Sequence, residues 1–337
     1  SACYRFTSAE IDTLDLATAA LQELCIAAVD EVIRRNLFSR LGIPPAAEPL
    51  IRSSWDRDEP TLYGRFDLAW NGSGAPKLLE YNADTPTALL ETAVIQWFWL
   101  KDRYPDADQF NSIHEKLIEG WRTWPAPQES LIHFACASGS DEDLGTLEYL
   151  RDTAIQAGFA TERLFMEEIG WDGACFVDLA NRPIGRCFKL YPWEWLLQEG
   201  FGGQIPRAGV NWVEPVWKLV LSSKGILPIL REMAPNHPNL LEASFGELAG
   251  DYVRKPLFSR EGENILIRRG GVTSETDGWY GREGYVFQRY CRVPDFGGNF
   301  PVIGSWVIAG EPAGIGIRED ASEITSNASR FVPHCFE

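Results

Sequence analysis

Arg65 and Asp67 stand two residues apart, as do Glu80 and Asn82, and between the two pairs lies the turn-forming run Asn71-Gly72-Ser73-Gly74-Ala75-Pro76. The flanking stretches, Thr61 to Trp70 and Lys77 to Asn82, alternate as strands do, which predicts a β-hairpin. Side chains two apart on a strand share a face, so each pair points one way. Pairing Trp70 with Lys77 across the turn sets Asp67 opposite Glu80 and Arg65 opposite Asn82, with all four on one face. Two opposed carboxylates repel unless a cation sits between them, and a carboxamide oxygen beside them completes a donor set for a hard ion such as magnesium. The competing expectation is a hairpin that turns these polar groups to solvent.

A second constellation lies in Lys255-Pro256-Leu257-Phe258-Ser259-Arg260-Glu261-Gly262-Glu263-Asn264. Here a strand-end lysine precedes a loop whose backbone amides can face phosphate oxygens, and glycine permits the close approach. Such loops also occur as plain surface turns. By contrast, Ser138-Gly139-Ser140-Asp141-Glu142-Asp143 is too acidic to cradle phosphate as a dinucleotide-binding glycine loop does.

The elements that must position these groups follow from periodicity. Thr7 and Glu10 have capping-box spacing, and Leu14, Ala17, Leu21, Cys25, Ala28 and Val32 recur at helical intervals, so a long amphipathic helix opens the chain. Leu41-Gly42-Ile43-Pro44-Pro45 ends the helical region, and a linker is expected after it. Pro86 to Leu100 reads as a buried helix with Thr85 as its cap. Leu131 to Ala137, Asp143 to Ala157 and Ala160 to Phe165 read as strand, helix and strand, a small α/β unit. Gly225 to Met233 reads as a helix, and Tyr252 to Lys255, Asn264 to Arg268, Tyr285 to Tyr290 and Val302 to Ile308 as strands.

Composition narrows the function. The 337 residues carry 31 basic and 48 acidic side chains, a formal charge of -17, which disfavours nucleic acid and anionic lipid as partners. The longest apolar stretch, Ala93 to Leu100, is too short to span a membrane. Seven scattered cysteines without a CxxC pair suit a reducing, cytoplasmic setting. Four isolated histidines argue against a zinc site and leave oxygen ligands for any catalytic metal.

Taken together, Arg65-Phe66-Asp67, Glu80-Tyr81-Asn82-Ala83-Asp84, Lys224-Gly225-Ile226-Leu227-Pro228-Ile229-Leu230 and the Lys255-Pro256 loop make the chain resemble the glutathionylspermidine synthase family, from about Trp55 to the end. The resemblance implies an α/β (α+β) ATP-grasp fold of permuted order, since the metal hairpin precedes the phosphate-binding lysines. A small parallel α/β (pre-ATP-grasp-like) domain and an N-terminal helix complete it. The expected organisation is an N-terminal helical segment (1–50), a metal-binding hairpin and helix (51–125), a small α/β substrate domain (126–185) and a nucleotide-binding region (186–337).

The activity implied is that of an ATP-dependent acid–amine ligase working through an acyl phosphate, with ATP and Mg2+ and with a small or peptide carboxylate and an amine, a polyamine included, as partners. By the same resemblance, Asp67, Glu80 and Asn82 hold magnesium and Arg65 steadies the transferring phosphoryl group and the developing oxyanion. Lys224 and Lys255 contact ATP phosphates, and Glu261 and Gly262 cover them. Gln288, Arg289, Tyr290 and Cys291 line the adenine, and Glu323, Ile324 and Thr325 close the pocket. The polyamine falls near Asp141 and Glu142, although an acidic helix start equally suits the helix dipole. Thr85 touches the acid substrate, and Trp193, Glu194 and Trp195 lie where the family contacts glutathione. Arg330 replaces an acidic residue near the polyamine, which speaks against spermidine. The alternative is a catalytically silent ATP-binding sensor of the same fold.

Overall fold

The computed structural model describes residues 2–124, 130–325 and 329–337. Its first helix, Ser8–Arg35, starts at the expected capping box: Thr7 accepts from the Glu10 amide while the Glu10 side chain accepts from the Thr7 amide. All six residues of the predicted apolar stripe are buried. After the helix, the expected linker proves to be structured, a single turn at Pro45–Ala47 running into the helix Glu48–Asp56.

The hairpin strands, Tyr63–Ala69 and Lys77–Asn82, form one edge of a five-stranded antiparallel sheet continued by Phe300–Ile308, Glu311–Asp320 and Arg330–Val332. One face of this sheet is apolar. Phe66 and Tyr81 stack there with ring centroids 3.9 Å apart, beside Ile303, Ile315 and Ile317, in the same core as Leu14, Leu21 and Cys25 of the first helix. Two polar links tie helix to sheet, Thr18 to Ser305 at 2.6 Å and Tyr81 to Gln22 at 3.0 Å. Because side chains alternate along a strand, packing this face on the helix leaves Arg65, Asp67, Glu80, Asn82 and Arg318 on the other.

A second five-stranded antiparallel sheet has the order Ala243–Ser244, Tyr285–Arg289, Tyr252–Pro256, Leu266–Arg269, Val272–Glu275. It meets the exposed edge of the hairpin through side chains rather than a ladder. Lys255 Nζ donates to the Leu79 carbonyl at 2.8 Å, and Gln288 Nε2 to the Leu78 carbonyl at 2.9 Å. Edge carbonyls that would otherwise lack partners are thereby satisfied.

The third sheet is wholly parallel, ordered Ala160–Phe165, Leu131–Cys136, Arg186–Leu190, Asn211–Val213. The helix Asp141–Gln156 connects its first two strands, with Ser140 as N-cap. Two strands of this sheet, Arg186–Leu190 and Asn211–Val213, come from beyond residue 185, and the expected boundary at 125/126 lies outside the described residues. The expected helix over Pro86 to Leu100 begins later, after Ala88, whose φ of 65° breaks the helical path, so Thr85 does not cap it. Nor is it buried throughout, since Ile95 and Phe98 are exposed. Among the described residues no helix is long and apolar enough to cross a membrane.

Candidate active site

The hairpin register is as expected at the polar positions, with Asp67 opposite Glu80 and Arg65 opposite Asn82. The reason differs from the expected one. Lys77 pairs with Ala69 rather than Trp70, and a bulge between Asp67 and Leu68 restores the register on the site side. The irregularity leaves Leu79 as the extra residue, and its carbonyl is the one that receives Lys255.

These four side chains form one connected group. Arg65 grips Asp67 bidentately, Nε to Oδ1 at 2.7 Å and Nη2 to Oδ2 at 3.1 Å. Asn82 Nδ2 reaches Asp67 Oδ2 at 3.1 Å and Glu80 Oε1 at 3.3 Å. Lys224 Nζ sits 3.3 Å from Glu80 Oε2 and donates to the Ser259 carbonyl at 2.9 Å. A sixth member escaped the sequence reading: Arg318 Nη2 lies 2.7 Å from Asp67 Oδ2. Its sequence signal was the alternation Gly314-Ile315-Gly316-Ile317 just before it, the mark of a strand with one apolar and one open face. Gly304 provides the room, because a Cβ there would come within 2.7 Å of Arg65 Cδ.

Charge is balanced tightly here. Burial would raise the Glu80 carboxyl, but Lys224, Lys255, Arg318 and Arg65 outweigh it and hold the pKa at about 2. Burial pushes Lys255 down to about 8, with Glu80 opposing the drop and Lys224 adding to it. Arg318 is also lowered, by burial and by Arg65. Two acids thus sit among four cations, an excess of positive charge fit for an anion.

A cleft of about 1210 Å³, its open mouth included, runs from this group between the two antiparallel sheets. Arg65, Asp67, Glu80, Asn82, Thr85, Lys224 and Lys255 line its inner end. Gln288, Arg289, Tyr290 and Cys291 line it further out, as do Glu261, Gly262, Glu323, Ile324 and Thr325. Gln288 is buried and accepts from Lys255 Nζ at 2.8 Å, whereas the Arg289 side chain turns to Glu242 and the backbone of Ala249 and Asp251. Gly262, with φ of 72°, lies against the other wall, where an added Cβ would stand 2.6 Å from the Thr325 carbonyl. Tyr290 and Arg269 hold Glu323 in place.

Thr85 accepts from Arg260 Nη1 at 2.6 Å, and the other arm of Arg260 reaches Glu194 at 3.0 Å. Arg260 was visible within the loop motif, but its partners come from distant segments. Trp193 is wholly buried, its indole bonded to the Glu214 carbonyl, so it belongs to the core. Trp195 is partly exposed beneath Arg260. Asp141 and Glu142 open the helix Asp141–Gln156 and do not line the cleft. Burial and the neighbouring Glu91, Asp143 and Glu261 raise the Glu142 carboxyl. Arg330 is paired with Glu319 at 2.9 Å.

The donor set suits a hard ion: two carboxylates, a carboxamide and room for phosphate oxygens. Among the described residues no group of three or more His, Cys, Asp or Glu side chains is placed to hold a metal ion.

A "Putative acid--amine ligase" of Haemophilus influenzae is 41% identical over 99% of this chain and 89% of its own length. Trypanothione synthetase of Crithidia fasciculata is 29% identical over 86% of the chain, and the bifunctional glutathionylspermidine synthetase/amidase of Escherichia coli 26% identical over 98%. The chain spans only 49% and 58% of those two proteins. Among solved structures, the apo form of a glutathione synthetase-like effector from Globodera pallida superposes with a TM-score of 0.59 at 11% identity, covering 99% of this chain and 89% of that one, a likeness of fold. The family model described as glutathionylspermidine synthase preATP-grasp matches residues 1–337, and the chain belongs to that family.

Proposed function

We propose that the chain is an ATP-dependent acid–amine ligase with a permuted ATP-grasp architecture, joining a carboxylate to an amine through an acyl phosphate. The observation that carries this is the convergence of Arg65, Lys224, Lys255 and Arg318 on Asp67 and Glu80 at the closed end of one deep cleft. Family membership and the ligase names of its relatives support the same reading. The proposed division of labour follows the sheets, with the hairpin sheet supplying metal ligands and the second antiparallel sheet the nucleotide wall.

Phosphoryl transfer is mainly positioning and charge neutralisation, so no nucleophilic side chain is required. Lys224 and Lys255 bind the terminal phosphates, and Glu261 with Gly262 covers them. Gln288 to Cys291 meet the base, and Glu323 to Thr325 shut the outer wall. Asp67, Glu80 and the Asn82 carboxamide would hold magnesium, which supplies charge neutralisation between phosphate oxygens. The Asn82 amide donates to both carboxylates, and its carboxamide oxygen would have to turn toward the ion to join them. Arg65 orients the substrate carboxylate for attack on the γ-phosphate. The amine then displaces phosphate, and Arg65 with Arg318 stabilises the oxyanion. Thr85 contacts the acid, and Asp141 and Glu142 attract a cationic amine from the rim.

The test is to incubate the protein with Mg-ATP and pooled acids and amines, following ADP release and product mass together. A product of acid plus amine less water, formed with stoichiometric ADP, supports the ligase. Nucleotide binding without any condensation favours a silent sensor.

A further inference from the structure

Lys255 and Gln288 stand on neighbouring strands of the second antiparallel sheet. The register sets Val253 opposite Gln288 and Lys255 opposite Val286, so Lys255 and Gln288 are diagonal neighbours whose side chains leave the sheet on one face. Gln288 is only 2% exposed, and both ends of its amide are engaged. Oε1 accepts from Lys255 Nζ at 2.8 Å, and Nε2 donates to the Leu78 carbonyl at 2.9 Å. One amide orientation alone satisfies both, because an ammonium needs an acceptor and a carbonyl needs a donor. A residue that reads a nucleotide base would turn its polar atoms toward the outer cleft. Those of Gln288 instead engage the lysine head and the hairpin edge.

Lys255 gives a second N–H to the Leu79 carbonyl at 2.8 Å, and among the described residues no third acceptor engages it. An ammonium carries three donors. Two are thus fixed on protein acceptors, and the third remains for a phosphate oxygen in the cleft that Lys255 lines. A lysine head on its flexible stem must otherwise be ordered when the ligand arrives, which weakens binding. Holding it beforehand at two points removes that cost. The neutrality of the holder matters as well, since a carboxylate at 288 would compensate the charge that phosphate needs, whereas an amide fixes the head and leaves the charge available. The acceptors on the other side, Leu78 and Leu79, belong to the strand that carries Glu80 and Asn82. The same three bonds therefore set the phosphate-binding lysine against the hairpin of proposed metal ligands.

We propose that Gln288 is a positioning residue for the phosphate-binding ammonium of Lys255, one that borders the nucleotide base without reading its edge. This rests on the reading of the cleft as an ATP site. Calorimetric titration of Mg-ATP and Mg-GTP into the wild type, Gln288→Met, Lys255→Met and the double variant tests it. Gln288→Met keeps the length of the side chain and removes both polar ends. It is expected to weaken Mg-ATP about tenfold, on the order of one hydrogen bond to a charged group. Mg-GTP should weaken by the same factor, so that the ratio of the two affinities stays at its wild-type value. In the Lys255→Met background the substitution should cost no more than about twofold, because the group it positions is already gone. In the wild type, Mg-tripolyphosphate, which has no base, should shift the side-chain amide resonance of Gln288, a readout that needs no variant to fold. An altered ATP-to-GTP ratio in Gln288→Met, additive losses in the double variant, or an unmoved Gln288 amide with tripolyphosphate bound overturns the assignment alone. A wild type that binds neither Mg-ATP nor tripolyphosphate overturns it together with the nucleotide reading of the cleft.

Discussion

Arg318 and Asp67, 251 positions apart in sequence, meet at 2.7 Å across a sheet in which their strands are not neighbours. The strand Phe300–Ile308 runs between them, and Gly304 on it leaves the gap that Arg65 crosses. Asp67 is thus the hub of the site, held by two guanidinium groups and an amide.

Removing that hub has a structural cost. In Asp67→Ala the largely buried Arg65 and Arg318 lose their shared anion, which should lower stability by roughly 3 kcal/mol, the lower end for breaking one partner of a buried pair. Urea denaturation measures it. Asp67→Asn, which keeps shape and one acceptor, should lose less stability and yet abolish magnesium-dependent turnover.

Nucleotide affinity should fall with rising pH. Lys255 is pushed down to about 8, so it is a cation below that pH and neutral above it in the free protein. Bound phosphate favours the cation, so binding takes up a proton above pH 8. Isothermal titration of Mg-ATP from pH 7 to 9.5, at constant ionic strength, should show a decline of up to about tenfold per pH unit beyond the inflection. Glu80, held at about 2, contributes nothing in this window. Lys255→Met should bind weakly and lose the inflection.

Gly262 should tolerate no side chain. An alanine there combines an unfavourable positive φ with a contact of 2.6 Å to the Thr325 carbonyl, and something must move. The strain of about 1–3 kcal/mol falls on the walls of the nucleotide cleft. The KM for ATP should rise about tenfold, the low end of that range, while the melting temperature changes little.

The first helix offers a control remote from chemistry. Thr7→Ala removes one half of the capping box and should cost about 1 kcal/mol of stability with kcat unchanged, as judged by thermal unfolding and steady-state assay.

Local rules carried the sequence reading a long way. Strand alternation and a glycine-rich turn found the hairpin, and the polar register of Asp67, Glu80, Arg65 and Asn82 followed. It followed partly by compensation, since the assumed pairing at Lys77 was off by one and the bulge after Asp67 corrected it. A bulge leaves no clear trace in side-chain pattern, because it is chosen by what the strand edge must meet, here Lys255 and Gln288. Likewise Arg318 and the Arg260–Glu194 pair depend on contacts between distant segments, which periodicity does not encode. The strand Glu311–Asp320 went unread because its glycines weaken β propensity, although each glycine is there to admit a neighbour, Thr92 over Gly316 for one. The late start of the helix after Ala88 is a similar case, with a positive φ at a non-glycine residue that no propensity would suggest.

The most direct measurement uses the acid identified in the condensation screen, with both carboxylate oxygens labelled with 18O. Attack of that carboxylate on ATP and later displacement by the amine must leave one labelled oxygen in the inorganic phosphate released. One 18O per phosphate, formed with each condensed product and lost in Asp67→Asn, is the predicted result. Condensation with unlabelled phosphate, or ATP cleavage that proceeds equally without the acid, would contradict the acyl-phosphate ligase.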